Sequence, residues 1–209
     1  MTSPVTRRRS RTAPALAVAL TLCPAAARPA ETPSYRIVRG DIRVVCPLTV
    51  GGLFETKTTA ISGTVSPGSA PPGAIGGELR VDLSSLDTGI ELRNTHLREK
   101  YLEVARGAEF AVAVLSAVHL DKADLPTFRG QTPFTGTLLL HGTRQPVAGQ
   151  ADIRAEGNDV RVVASFPVRL DAYGIAPPRY LGVGVKNEVQ VKVSLVATPE
   201  TAPAAEGTR

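Results

Sequence analysis

The 209-residue chain has no Trp, one Met, two Cys and three His, and each scarcity closes off a class of explanation. With only five Phe and four Tyr for aromatic bulk, the core has to be assembled from Val, Leu, Ile and Ala. Val and Ile suit the pleated, half-buried surface of a strand. Two cysteines do not make a disulfide framework. His96, His119 and His141 stand far apart, without a ligand spacing such as two His four residues apart on a helix, so no metal is expected. No nucleophile elbow, Walker loop, dinucleotide fingerprint or paired-cysteine motif is present. The acids are scattered over polar faces rather than spaced as an acid–base pair. These absences argue against an enzyme and against a bound cofactor.

The formal charge of +5 comes mostly from one end. Arg7, Arg8, Arg9 and Arg11 precede an apolar stretch from Ala13 to Cys23, and Ala25-Ala26-Ala27 offers a small-residue cleavage site. This is the three-part layout of a secretory signal, too short for the roughly 20 residues of a stable membrane span. Residues 1–27 are therefore read as a signal peptide and the mature protein as periplasmic or secreted. Their removal takes away four Arg and no acid, lowering the charge from +5 to +1. A nucleic-acid partner then loses its electrostatic basis. Leu20-Thr21-Leu22-Cys23 faintly resembles a lipobox, but Leu22 is bulky for its place, so lipoprotein anchoring at Cys23 is the lesser alternative. Cys46, in an apolar strand beside Pro47, reads as a small buried hydrophobe.

From Ser34 onward the pattern is strand after strand. Val189, Val191, Val193 and Leu195 alternate with Gln190, Lys192 and Ser194; Val160 to Val168 and Leu79 to Leu83 alternate in the same way. An apolar face turned inward and a polar face turned to water are the mark of a solvated antiparallel sheet. The first strand is read from Ile42 to Leu53. From Phe110 to Leu120 both alternate sets are apolar until His119, which implies cover on both faces. Glu156-Gly157-Asn158-Asp159 reads as a hairpin turn. Neighbouring hairpins that close on themselves remove exposed edges, so an all-β antiparallel barrel of about eight strands is favoured over a sandwich.

One helix is predicted between about 88 and 104. Thr88-Gly89-Ile90-Glu91 fits a capping box. Leu97, Tyr101 and Val104 fall at helical spacing, leaving Arg93, Glu99, Lys100 and Glu103 to water, and the helix is read as a lid or plug on the barrel. Residues Thr198 to Arg209, rich in Ala, Pro, Thr and Glu, read as a disordered tail.

Four stretches carry a family resemblance. Gly136-Thr137-Leu138-Leu139-Leu140-His141-Gly142-Thr143-Arg144-Gln145-Pro146-Val147 reads as a strand, a tight turn and a return strand. Ser84 to Gly89 followed by Arg93-Asn94-Thr95-His96-Leu97-Arg98 leaves a strand for a short polar helix. With Phe110 to Ser116 and Val185 to Leu195, they resemble the YceI-like family over residues 34–198. That resemblance implies a lipocalin-like barrel carrying an apolar chain such as a polyisoprenoid. Three departures stand out: Asn94 where the family usually has an acid, Leu170 and Ala172 where it usually has an Arg and an acid, and a first strand without the usual Phe.

A barrel without advertised chemistry leaves its interior as the candidate site. An apolar interior selects an apolar ligand, since each buried methylene contributes about 0.8 kcal/mol. The expected function is binding, carriage or sequestration of a polyisoprenoid, an isoprenoid quinone or another long-chain amphiphile, with transient membrane contact. Candidate contacts are Val81, Val112, Val114, Leu138, Leu140, Phe166, Val168, Val191 and Val193. A slip of one residue would exchange the faces of any strand. The rival readings are an enzyme on such a lipid using His96, Cys46 or Tyr173, and a filled barrel serving protein interaction.

Overall fold

The computed structural model describes residues 33–68, 71–122, 129–180 and 182–200. Alternation resolves there into strands β1 (Ser34–Pro47), β2 (Leu53–Thr58), β3 (Ile61–Pro67), β4 (Ala74–Asp82), β5 (Val112–Leu120), β6 (Gly130–Leu140), β7 (Thr143–Glu156) and β8 (Asp159–Arg169). The two-residue β9 (Arg179–Tyr180) and β10 (Val183–Gly184) form a separate small hairpin before β11 (Glu188–Glu200). Every pairing is antiparallel, and β11 pairs with β1 as well as with β8. The sheet thus closes into an eight-stranded barrel in the order β1-β3-β4-β5-β6-β7-β8-β11, as the alternation predicted. The Gly157-Asn158 turn joins β7 to β8 with Glu156 opposite Asp159, also as predicted.

Closure needs local bending, and bulges supply it. The register shifts between Ile75 and Glu78 in β4 and between Ser116 and His119 in β5. Ala117 there takes the left-handed region, with φ of 50°. On β3 and β4, Gly63 and Gly77 both have positive φ, and a Cβ at either would collide with a carbonyl of the facing strand. Only glycine permits this approach.

The barrel wall has one interruption. β2 and β3 run as a single strand broken at Thr59-Ala60: β2 lies along β1 from Ile42 to Pro47, whereas β3 turns to β4. Past Lys57, which exchanges two backbone bonds of 2.9 Å with Asp87, β2 has no ladder partner on its other side among the described residues. The excursion from Leu83 to Ala111 occupies this region. It contains α1 (Glu91–His96), a wider turn over Leu97–Tyr101 in which the Leu102 amide donates to the Leu97 carbonyl at 2.9 Å, and α2 (Ala108–Ala111).

The helix lies within the predicted span but is shorter, from Glu91 to Tyr101, because Glu103 takes the left-handed region with φ of 49°, and the capping box does not form. Ile90 is the cap residue, without a side-chain bond. Asn94, 4% exposed, ties the turn instead: its Oδ1 accepts from the Thr88 amide at 2.8 Å and hydroxyl at 2.7 Å, and its Nδ2 donates to Asp87 Oδ1 at 2.9 Å. The departure from the family pattern thus has a local reason, since an aspartate here would set two carboxylates against each other.

Two boundaries differ from expectation. The first strand starts at Ser34 and stops at Pro47, because the turn through Gly51 and Gly52, both of positive φ, separates it from β2. β11 continues through Glu200, opposite Ser34, and the Glu200 carboxylate accepts from Ser34 Oγ at 2.8 Å and Arg36 Nε at 2.7 Å. The tail assignment therefore fails for Thr198 to Glu200. The proposed signal peptide and residues 201–209 lie outside the described residues. Among the described residues no helix is long and apolar enough to cross a membrane.

Candidate functional site

The half of the barrel that holds α1 and the His141-Gly142 turn encloses a cavity of about 850 Å³. That is within the usual range of roughly 300–1,000 Å³ for small-molecule sites. Seven of the nine candidate contacts, from four of the five strands that supplied them, stand in its wall. Val81, Leu138, Leu140, Phe166, Val168, Val191 and Val193 all line it. Leu138 and Leu140, not Leu139, take the inner face, because the two-residue turn at His141 (φ 51°) and Gly142 (φ 72°) sets Leu140 opposite Thr143.

Val112 and Val114 do not line the cavity; Ala113 and Leu115 do. The one-residue slip has a plain cause. Both alternate sets of β5 are apolar, so periodicity gives no phase. The bulge at Ala117 then shifts the phase again, and Val118 and Leu120 face inward beyond it.

Leu79, Leu115, Phe166 and Val193 also border a second, much smaller cavity of about 140 Å³ in the other half, and so form a waist. Below it Phe134 meets Phe166 edge to face, with centroids 5.8 Å apart. Gly149 lies opposite Phe134 in the register, and a Cβ there would stand 2.9 Å from Phe134 Cε1. The glycine makes room for the aromatic pair that closes this half.

The mouth of the large cavity was not foreseen from sequence. It is formed by the open end of β2, by one face of α1 and its continuation, and by Pro178, Arg179, Val183 and Gly184. Leu53, Ile90 and Leu92 line it while 59%, 49% and 67% exposed, an apolar rim at the water boundary. Arg93 and Lys100, expected to face water, line the mouth as well. The Arg93 guanidinium lies over the Phe54 ring, 4.6 Å from its centroid, and Lys100 Nζ is 5.8 Å from that of Tyr101. Their seven-residue separation, two helical turns, was the available signal; the third cation, Arg179, comes from a segment with no pattern.

The residues considered for catalysis do not converge. Cys46 lines the cavity, but burial pushes its thiol up to about 11, despite the opposing Arg93 charge. It is a protonated, weakly nucleophilic group at neutral pH. His96 lines the exposed mouth. Tyr173, 2% exposed, is not in the cavity wall, and burial raises its phenol. His141 sits at the end of β6. Its side chain is 9% exposed, with Nδ1 3.0 Å from the Tyr173 carbonyl oxygen, Nε2 3.1 Å from Glu103 Oε2, and Phe110 edge-on at 4.8 Å. It ties the turn to two loops that sequence distance hid. No group of three metal-ligating side chains occurs among the described residues. The cavity wall does contain Thr56, 3% exposed, whose Oγ1 has no hydrogen-bond partner among the described residues.

A model of the YceI-like domain matches residues 41–197, three quarters of the chain, and the protein belongs to that family. No curated protein sequence matches it. Among solved structures, a polyisoprenoid binding domain from Saccharophagus degradans implicated in plant cell wall breakdown superposes with a TM-score of 0.60. It is 19% identical, over 79% of this chain and 98% of that one. BcnA of Burkholderia cenocepacia gives the same TM-score and identity, over 76% of this chain and 96% of its own. At these identities the likeness is one of fold.

Proposed function

We propose that this YceI-like protein binds one long-chain amphiphile, a polyisoprenoid or isoprenoid quinone, in its barrel and carries or sequesters it outside the cytoplasm. The observation that carries this reading is the 850 Å³ cavity walled by aliphatic and aromatic side chains inside a closed barrel. A dry apolar space of about 150 Å³ holds a benzene-sized guest, so this one has room for several isoprene-sized units. The hydrocarbon gains burial along its whole length while no partner is needed for a buried charge. The polyisoprenoid binding of the Saccharophagus degradans relative supports the ligand class. The interior wall offers a protonated thiol and an unpaired hydroxyl but no acid–base pair, which favours carriage over catalysis. The seven wall residues named above would be the chain contacts, with Ala113 and Leu115 in place of Val112 and Val114.

Organic extraction of natively purified protein, followed by mass spectrometry, tests the reading. A stoichiometric long-chain lipid is expected; an empty extract, together with no uptake of added prenols, would overturn it. Export is the second half of the proposal and rests on the layout of residues 1–27. Sequencing the extracytoplasmic form should give an N-terminus near Arg28, and a start at Met1 or Thr2 would oppose cleavage.

A further inference from the structure

Six large hydrophobic side chains are exposed among the described residues, and four of them gather in one region. Val50 and Leu53 belong to the turn between β1 and β2 and its exit, while Ile90 and Leu92 stand at the head of α1. Leu53, Ile90 and Leu92 line the mouth of the large cavity. The turn that carries Val50 is pinned to the same mouth: the Thr49 amide donates to the Gly184 carbonyl at 2.8 Å, and the Gly184 amide donates to Thr49 Oγ1 at 3.0 Å. The other two, Val38 and Val163, lie on β1 and β8 and line neither cavity. Single exposed aliphatics are ordinary on a surface. A group of them around one opening marks a face that is covered in use. Charge is sorted on this face as well. Arg93, Lys100 and Arg179 line the mouth, and no Asp or Glu does. Acids of the adjoining segments are engaged elsewhere or lie outside the lining: Glu91 is 3.9 Å from Arg98, Asp87 accepts from Asn94 and the Gly89 amide, and Glu55 and Glu99 stand away from the cavity wall.

From this arrangement we infer that the rim of the barrel docks onto an anionic lipid leaflet through Val50, Leu53, Ile90 and Leu92, with Arg93, Lys100 and Arg179 supplying the attraction. The inference rests on the carrier reading and gives it a loading face. Aliphatic side chains bordered by cations fit the boundary of a bilayer, where the first enter the acyl region and the second meet the negative surface. A protein partner would be met differently, since such interfaces shed Lys and are anchored by aromatic residues. Every exposed large hydrophobic of this rim is aliphatic among the described residues. Docked this way, the opening is set against acyl chains instead of water, so an apolar cargo passes from bilayer to cavity without being hydrated on the way. The apolar groups are few, and the contact is shallow and reversible, as a carrier that leaves again requires.

The test is flotation of the mature protein with vesicles that contain no polyprenyl lipid, so that docking is read apart from cargo. Vesicles of phosphatidylglycerol and phosphatidylcholine in equal parts should bind it about tenfold more tightly than phosphatidylcholine alone at low salt, with the advantage shrinking as salt is raised. Val50→Ser/Leu92→Ser, which alters only exposed side chains, should weaken binding to the mixed vesicles about fivefold or more. Lys100→Gln/Arg179→Gln should remove most of the preference for the anionic vesicles, and Val163→Ser on the outer wall should change nothing. Absence of flotation with the mixed vesicles would overturn docking and leave carriage to be decided by the lipid extraction above. An empty extract from a protein that still floats would remove carriage and leave the docking face standing. Binding undiminished in Val50→Ser/Leu92→Ser would put the contact on another face and overturn the inference, as would a preference undiminished in Lys100→Gln/Arg179→Gln. So would a dimer in solution that the Val50→Ser/Leu92→Ser variant dissolves and that vesicles do not compete with, which would make the rim a contact between copies of the chain.

Discussion

Below Phe166 the barrel interior is occupied by side chains, with Phe134 standing over Gly149 and only about 140 Å³ left among them. Above it the same β-branched and aliphatic residue types surround about 850 Å³. The difference does not lie in composition. It lies in where the two large aromatics are aimed, and in the break at Thr59-Ala60, which carries β2 away from β4 and leaves the upper half to be covered by a helix. A barrel of about eight strands can either fill itself or hold one ligand; this one does the first in one half and the second in the other.

The contrast is open to measurement. Phe134→Ala removes bulk from the filled half and should cost about 3–5 kcal/mol, while Leu140→Ala, whose side chain already faces open space, should cost below about 2 kcal/mol. Denaturant titration of the two variants decides it, and equal losses would erase the distinction. Asn94→Ala unties the turn at the head of α1 and should cost about 1–3 kcal/mol, because the Thr88 amide and hydroxyl lose their buried acceptor. Its pH dependence has a definite sign. The Gly89 amide, then the Asn94 side chain, hold the Asp87 carboxyl below its ordinary 3.8. That depressed value contributes stability above the unfolded pKa and loses it as pH falls through the folded one. The gap between wild type and Asn94→Ala should therefore narrow below about pH 4, which stability curves at graded pH would show.

Two smaller effects sharpen the picture of the upper half. Val193→Phe enters the waist and should lower lipid occupancy several-fold, whereas Val114→Phe, on the opposite face of β5 from the cavity, should leave it unchanged. Lipid content of the purified variants by mass spectrometry separates them, and loss in Val114→Phe would mean that the face assignment is wrong. The slightest effect concerns Cys46. With its thiol pushed up to about 11 by burial, it should react with a disulfide reagent far more slowly than an exposed thiol at pH 8. A bound chain should slow it further, and labelling as fast as in urea would show that the upper half is open to water.

How much of this the sequence disclosed depends on the strand. In β8 and β11 alternation is clear over the stretches that hold the candidates, and Phe166, Val168, Val191 and Val193 take the predicted face. In β5 both faces are apolar, and a bulge at Ala117 changes phase midway, so the choice of Val112 and Val114 had no physical anchor. The mouth was beyond reach for another reason. Leu53, Arg93 and Arg179 belong to three distant segments, and only the path of the chain brings them together. Asn94 lies between these cases: its departure from the family pattern drew notice, but its role needed the position of Asp87.

The closure of β1 against β11 also sets a timetable. Ser34 pairs with Glu200 and Val45 with Gln190, so the last strand to be made completes the wall that the first began. Pairing across so long a stretch of chain is slow, because the ordering of the intervening segment precedes its reward. Until then two strand edges stay bare, each a template for association with another chain, and the apolar lining is open to whatever passes. Arrival of β11 turns an aggregation-prone ribbon into a container, and a chain cut short before it would never make that change.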